Sequence, residues 1–185
     1  MRLFVALNLP DEVRRALWAA AAPVRELDLP LKWVRPEGIH VTLKFLGEVS
    51  EQREPELRSA LGRAAAGSHA LPLAIDGFGA FPGFERPRVI WAGLEPDPAL
   101  EALQHRVEQE FQPLGFVPEQ RPFRPHLTLG RAARDARPKP CKGLQETLTG
   151  LQHHDTTVIA AVDLMQSVLQ SGGAVYQLRH RERLS

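Results

Sequence analysis

The sequence predicts an α+β fold, and three observations carry that assignment. Short runs with strand period alternate with longer runs of helical period. Hairpin signals and half-buried alternation also occur, which a purely parallel sheet does not need. One strand pattern, a histidine and a threonine two residues apart and followed by leucine, appears twice, as His40-Val41-Thr42-Leu43 and as His126-Leu127-Thr128-Leu129.

The elements run in order along the chain. Met1 to Leu9 is an apolar run stopped by Pro10 and Asp11, a core strand. Asp11 is placed to cap a helix to about Ala22. Pro23 and Pro30 bracket an irregular link, and Lys32-Trp33-Val34 is a short strand. Pro36 and Gly38 then form a turn that feeds the first His-Thr strand. Ser50 caps a helix to about Ala66, with Glu54 opening a charged surface. Leu71 to Ile75 is a strand that Pro72 assigns to an edge. Gly77, Gly79, Pro82 and Gly83 make a turn-rich loop bearing Phe78, Phe81 and Phe84, expected to bury it at a lobe junction, with RNA contact as the alternative. Arg88 to Leu94 is a strand. Pro96 to Gln112 is an amphipathic helix with Leu100, Leu103 and Val107 on one stripe. A loop leads to the second His-Thr strand. Asp135 to Pro140 is expected to be a mobile surface loop, and Leu144 to Leu148 a short helix. Thr156 to Gln170 and Ala174 to Arg183 read as two strands joined at Ser171-Gly172-Gly173. No linker separates independent domains, so residues 1–185 are expected to form one domain of two halves, each giving one strand to a central cleft.

Composition narrows the function classes. The 185 residues contain 43% hydrophobic and 24% charged residues, as in a soluble globular protein. Lys and Arg total 23 against 22 Asp and Glu, so net charge gives no argument for long nucleic-acid tracts, while a local basic pocket for a phosphate remains open. The one cysteine, Cys141, allows neither an intrachain disulfide nor a thiolate metal cluster and fits a reducing cytoplasm. The apolar run Leu3 to Leu7 is too short for a signal-peptide core or a membrane span.

Side chains alternate along a strand, so His40 and Thr42 share a face about 6–7 Å apart, as do His126 and Thr128. An unperturbed imidazole titrates near pH ~6.5, so one ring can accept a proton while another donates. Two rings and two hydroxyls form a near-symmetric clamp for a phosphate, suited to in-line displacement by positioning and charge stabilisation. A lone His-x-Thr is ordinarily a structural pair; two copies in matching context point to function. A zinc phosphoesterase using both histidines and a loop histidine is the metal alternative, although no His-Glu-x-x-His is present. A non-catalytic RNA-end or nucleotide-binding module is the other alternative. His69, His105, His153, His154 and His180 are expected to be solvated.

The two motifs, with Lys44-Phe45-Leu46-Gly47 and Phe123-Arg124-Pro125 beside them, resemble the two-histidine phosphoesterases, and among these the RNA 2′,3′-cyclic phosphodiesterases, or 2′-5′ RNA ligases. Arg2 to Ala6, Trp33-Val34 and the Gly-Gly-x-x-Tyr turn ending at Tyr176 are also similar. The resemblance implies a bilobal α+β fold, two antiparallel sheets lining a cleft with helices outside. It implies metal-free hydrolysis of a 2′,3′-cyclic phosphate to a 2′-phosphomonoester, on RNA 3′ ends such as tRNA halves or on small cyclic nucleotides. The same apparatus would join such an end to a 5′-hydroxyl. By motif His40 is the acid, His126 the base, and Thr42 and Thr128 hold phosphate oxygens; the residues alone do not order the two rings. No cofactor, no membrane and a monomer are expected.

Accessory residues divide between residue pattern and resemblance. Alternation puts Arg124 on the face of His126, within reach of phosphate. It puts Arg131 on the opposite face, although the family position favours phosphate contact and Gly130 permits a bulge that re-aims it. Phe45 falls by alternation with Leu43 on the core face, whereas the resemblance suggests stacking on a base. Trp33 and Tyr176 are rim candidates, with core packing preferred for Trp33.

Overall fold

The computed structural model describes residues 1–137 and 139–185. Pro138, part of the expected 135–140 surface loop, lies outside them. The described remainder of that stretch is irregular and mostly exposed.

Among the described residues the chain forms nine strands and five α-helices. In order these are β1 (Arg2–Asn8), α1 (Asp11–Ala20), α2 (Ala22–Arg25), β2 (Leu31–Trp33), β3 (His40–Glu48), α3 (Glu54–Ala65), β4 (Leu71–Phe81) and β5 (Val89–Leu94). They continue with α4 (Pro98–Phe111), β6 (His126–Ala132), α5 (Leu144–Gly150), β7 (His154–Ile159), β8 (Ala161–Gln170) and β9 (Gly173–Arg183). The strands pair antiparallel in the order β7-β4-β5-β6-β3-β1-β8-β9, with β2 also on β6. The fold is α+β.

Two halves, β7-β4-β5-β6 with β2 on β6 and β3-β1-β8-β9, meet where β6 joins β3. A single bridge pair makes that seam, Val41 opposite Leu127. These are the middle residues of the two His-x-Thr motifs. Extending the register by one residue each way sets His40 toward Thr128 and Thr42 toward His126. The two expected sheets are thus continuous through one rung.

The main core lies on the helical side. Ile39, Val41 and Leu127 are fully buried there with Leu17, Leu57, Leu61, Leu100 and Leu103. Each such side chain stabilises the fold by roughly 1.5–3 kcal/mol, which fixes the facing of the strands that carry it. His40 and Thr42 are therefore turned the other way. On that side a small cluster of Phe4, Ala6 and Met165, with Tyr176 against it, forms a floor.

Several local expectations are corrected. Pro10, not Asp11, caps α1 and makes no side-chain cap bond, with Asp11 in the first turn. Pro23 opens α2 instead of an irregular link. Glu54 is buried, bonded to Arg58 and Arg179. Pro72 is not on an edge strand, because β4 lies between β7 and β5; but β5 reaches only to Ile75, so Pro72 sits where β4 has one neighbour. Gly77 and Gly79 lie within β4, not in a loop. The Gly77 backbone has φ +76° at a register shift, and a Cβ on Gly79 would stand 2.2 Å from the Trp91 ring. These glycines serve a bulge and a close approach. The segment read as one strand from Thr156 to Gln170 is two, β7 and β8, which break at Ala160 and lie in opposite halves. No helix among the described residues is long and apolar enough to cross a membrane.

Candidate active site

Each motif strand carries the same irregularity. Along the β1–β3 ladder Ala6 pairs with Thr42 and Val5 with Lys44, so Leu43 is an extra residue. Along β5–β6 Trp91 pairs with Thr128 and Ile90 with Gly130, so Leu129 is extra. A bulge of this kind breaks alternation and re-aims the side chains beyond it. Leu43 and Lys44 both face inward, and Phe45 turns to the cleft, 64% exposed. Leu129 and Gly130 both face inward, and Arg131 emerges beside Thr128, its guanidinium 3.5 Å from Oγ1. Phe45 and Arg131 thus occupy matching places, five residues past their histidines. The core placement that alternation gives Phe45 is corrected, as is the opposite-face placement of Arg131.

The inward residues explain why the bulges hold. The Lys44 ammonium donates to Glu108 Oε2 at 2.6 Å and to the Val117 carbonyl at 3.0 Å, so its buried charge is matched. On the other strand a Cβ at Gly130 would stand 2.8 Å from the Trp33 ring, so only glycine fits beneath it. Trp33 is accordingly a packing residue.

The imidazoles are also held alike. His40 Nδ1 lies 2.7 Å from the Gly38 carbonyl, and His126 Nδ1 lies 2.7 Å from the Arg124 carbonyl. A carbonyl only accepts, so both rings carry their proton on Nδ1 and present Nε2. His40 Nε2 is 3.0 Å from Thr42 Oγ1, which donates to it. Phe4 lies beside the His40 ring at 4.9 Å and Tyr176 meets it edge-on at 5.0 Å. Phe81 meets the His126 ring edge-on at 5.3 Å.

Burial lowers His40 from 6.5 to about 4, with the charges of Arg14, Arg131 and His126 acting the same way. Burial and Arg131 also push His126 down. Without an anion both rings are neutral near pH 7.

A cavity of about 630 Å³ is lined by His40, Thr42, Phe45, Thr128, Arg131 and Tyr176, among others. His126 is not among its lining residues, although Thr128 beside it is. Arg124 does not share a strand face with His126, because β6 begins at His126. Its side chain is exposed and does not line the cavity; its carbonyl is what the site uses. No three His, Cys, Asp or Glu side chains among the described residues converge as a metal site. Of the other histidines, His180 bonds Glu182 at 2.6 Å and His153 has a buried Nε2 without a partner among the described residues, so neither is simply solvated.

Sequence reading missed a buried polar lattice behind His40. Asp163 is 1% exposed and accepts from Arg181 Nε at 2.7 Å and Nη2 at 2.8 Å. It also accepts from Asn8 Nδ2 at 2.6 Å. Asn8 Oδ1 accepts from Arg14 Nη2 at 2.8 Å, and Arg14 Nε donates to the Ile39 carbonyl at 2.9 Å, one residue before His40. Only a polar residue inside an apolar strand, Asp163, hinted at it.

The profile of the 2′-5′ RNA ligase superfamily matches residues 10–167. The chain belongs to this superfamily. It is 31% identical to the RNA 2′,3′-cyclic phosphodiesterase of Methanothermobacter thermautotrophicus, with 95% of each chain covered. It is 34% identical to that of Thermus thermophilus, over 95% of this chain and 86% of the relative. Among solved structures, TT0787 of Thermus thermophilus superposes with a TM-score of 0.81 at 31% identity, covering 100% of this chain and 98% of the other. Escherichia coli LigT complexed with 3′-AMP superposes at 0.76 and 27% identity, again over 100% and 98%. This superfamily chain thus shares its architecture with a protein crystallised with a nucleotide.

Proposed function

We propose that this protein hydrolyses the 2′,3′-cyclic phosphate at RNA 3′ ends, leaving a 2′-phosphomonoester, by metal-free acid–base chemistry between His40 and His126. The observation that carries the proposal is the pair of imidazoles, both fixed with Nε2 free of the backbone, flanking a seam where Thr42, Thr128 and Arg131 line one cavity. The activity named for relatives at 31% and 34% identity supports the reaction class.

Thr42, Thr128 and Arg131 hold the phosphate oxygens, and Phe45 stacks on the terminal base. His126 Nε2 takes a proton from the attacking water as its oxygen bonds phosphorus. The bond from phosphorus to O3′ breaks, and O3′ receives the proton of His40 Nε2. A bound phosphate anion offsets the positive charge of Arg131 and raises both imidazoles, so His40 becomes protonated in the complex. A 5′-hydroxyl in place of water gives a 2′-5′ linkage by the same proton transfers. The protein acts as a monomer in the cytoplasm.

An oligoribonucleotide ending in 2′,3′-cyclic phosphate, incubated with the protein in excess chelator, tests this. Turnover to the 2′-phosphate is expected, with kcat about 10²–10⁴-fold lower in each of His40→Ala and His126→Ala. No turnover, or full activity in both variants, sinks the proposal; activity abolished by the chelator favours a metal-dependent route.

A further inference from the structure

We propose that the basic segment following β6 binds RNA backbone phosphates on the 5′ side of the reacting end, so that the preferred substrate is an RNA chain and not a free cyclic mononucleotide. This deepens the proposed function and rests on its placement of the terminal phosphate.

Charge is distributed unevenly. Over the whole chain 23 basic side chains meet 22 acidic ones, yet residues 131–142 contain Arg131, Arg134, Arg137, Lys139 and Lys142 against Asp135 alone. Among the described residues seven cations elsewhere are held in ion pairs, Lys44 with Glu108, Arg58 and Arg179 with Glu54, and Arg181 with Asp163 among them. Among the described residues no ion pair takes up Arg131, Arg134 or Arg137. Lys32, exposed and opposite Arg131 in the β2–β6 ladder, extends the same patch.

The segment is a built element where it leaves the sheet. Arg88, just before β5, donates to the carbonyls of Ala136 at 2.9 Å, Ala133 at 3.0 Å and Arg134 at 3.3 Å. The Ala136 N–H closes the turn onto the Ala133 carbonyl at 3.0 Å, and the Ala132 N–H bonds the Arg88 carbonyl at 2.9 Å. Arg88 therefore spends its donors on backbone, and the turn displays Arg134 toward the cavity of the candidate site, which Arg2 also lines from the other half. Arg131 and Arg134 both line the cavity that Thr42 and Thr128 line, and Arg137 comes next, exposed.

A cyclic phosphate diester carries one negative charge, and Arg131 matches it. The cations beyond it have no anion to meet on a mononucleotide. An RNA chain supplies one per nucleotide, and a positively charged track beside an aromatic platform is the usual way a single strand is held. Phe45 supplies the platform on the other half of the cleft.

Two arms test this with wild type and the double variant Arg134→Ala/Arg137→Ala. The first compares kcat/KM for a decamer ending in 2′,3′-cyclic phosphate with that for 2′,3′-cyclic AMP, across a salt series. Wild type is expected to favour the decamer. The double variant is expected to lose at least tenfold in the ratio of the two values, with the decamer's log–log salt slope flatter by about 0.7 per lost phosphate contact. The second arm measures direct binding of a decamer ending in a 2′-phosphate, by anisotropy, and needs no turnover. At least tenfold weaker binding by the double variant is expected. An unchanged ratio together with unchanged decamer binding overturns the proposal and points to an acidic protein partner for the segment. Decamer binding that depends on both arginines without turnover of either substrate overturns the hydrolytic reading and leaves the RNA track standing.

Discussion

His40 and His126 begin their strands in the same way and are supported in different ways. In both, the carbonyl two residues back fixes the ring tautomer, a bulge falls at the leucine that follows the threonine, and the fifth residue returns to the cleft. Behind His40 stands the lattice of Asn8, Arg14, Asp163 and Arg181, which ties together β1, α1, β8 and β9. Behind His126 stands the carbonyl of Arg124, in an irregular, mostly exposed segment. One ring has, besides its local carbonyl, a preceding backbone held by charged side chains from across the chain. The other is set by local backbone. Two sites of similar chemistry thus differ in what each tolerates.

Asp163→Ala is expected to have the largest effect on stability. It strands Asn8 Nδ2 and removes the partner of Arg181, and breaking a buried ion pair costs about 3 kcal/mol when one partner is partly exposed. Arg124→Ala, which leaves the carbonyl in place, is expected to stay within about 0.5 kcal/mol and within twofold in kcat/KM. Urea unfolding of the two variants, with kinetics, measures the contrast; equal losses would erase it.

The paired fifth residues sharpen it next. Arg131→Ala removes a charge-assisted contact of about 1.5–3 kcal/mol and is expected to lower kcat/KM some 10- to 100-fold, mainly through kcat. Phe45→Ala is expected to raise KM with kcat little changed, since stacking on a base acts alike in ground and transition states. Losses of the same kind in both variants would mean that the two positions are not specialised.

The smallest effect is in pH dependence. Both rings of the free protein are pushed below 6.5, His40 to about 4. The bell of kcat/KM is therefore expected to peak on the acid side of neutrality and to fall as rising pH strips the acid of its proton. The kcat bell should lie at higher pH, because bound phosphate raises both groups. Stability depends on the same shift. An unfolded histidine binds a proton near 6.5 and the buried His40 does not, so the contribution is complete above that value and is lost as pH falls toward about 4. Coincident kcat and kcat/KM profiles would count against a ligand-induced shift.

Much of this was legible in the sequence. The His-x-Thr strands announce themselves because Ile39, Val41 and Leu43 alternate with them, and the helices because Leu100, Leu103 and Val107 share one stripe. What failed was counting past a bulge. Leu43 and Leu129 look like ordinary strand residues, and only their partners on β1 and β5 show them to be extra. The β7–β8 break was equally hidden, since Ala160 is not a breaker and the chain changes halves there without a turn signal. The Asn8–Asp163 bond joins residues 155 apart, a separation at which local pattern is silent.

The seam between the halves is one backbone rung, with the two motifs related about it like the ends of a palindrome. A palindrome has no forward sense. On the proposed chemistry, the sense is written by one ring on one side and one cation on the other, Phe45 and Arg131. Which ester oxygen departs is then decided by these two side chains together with the unequal support of the two rings.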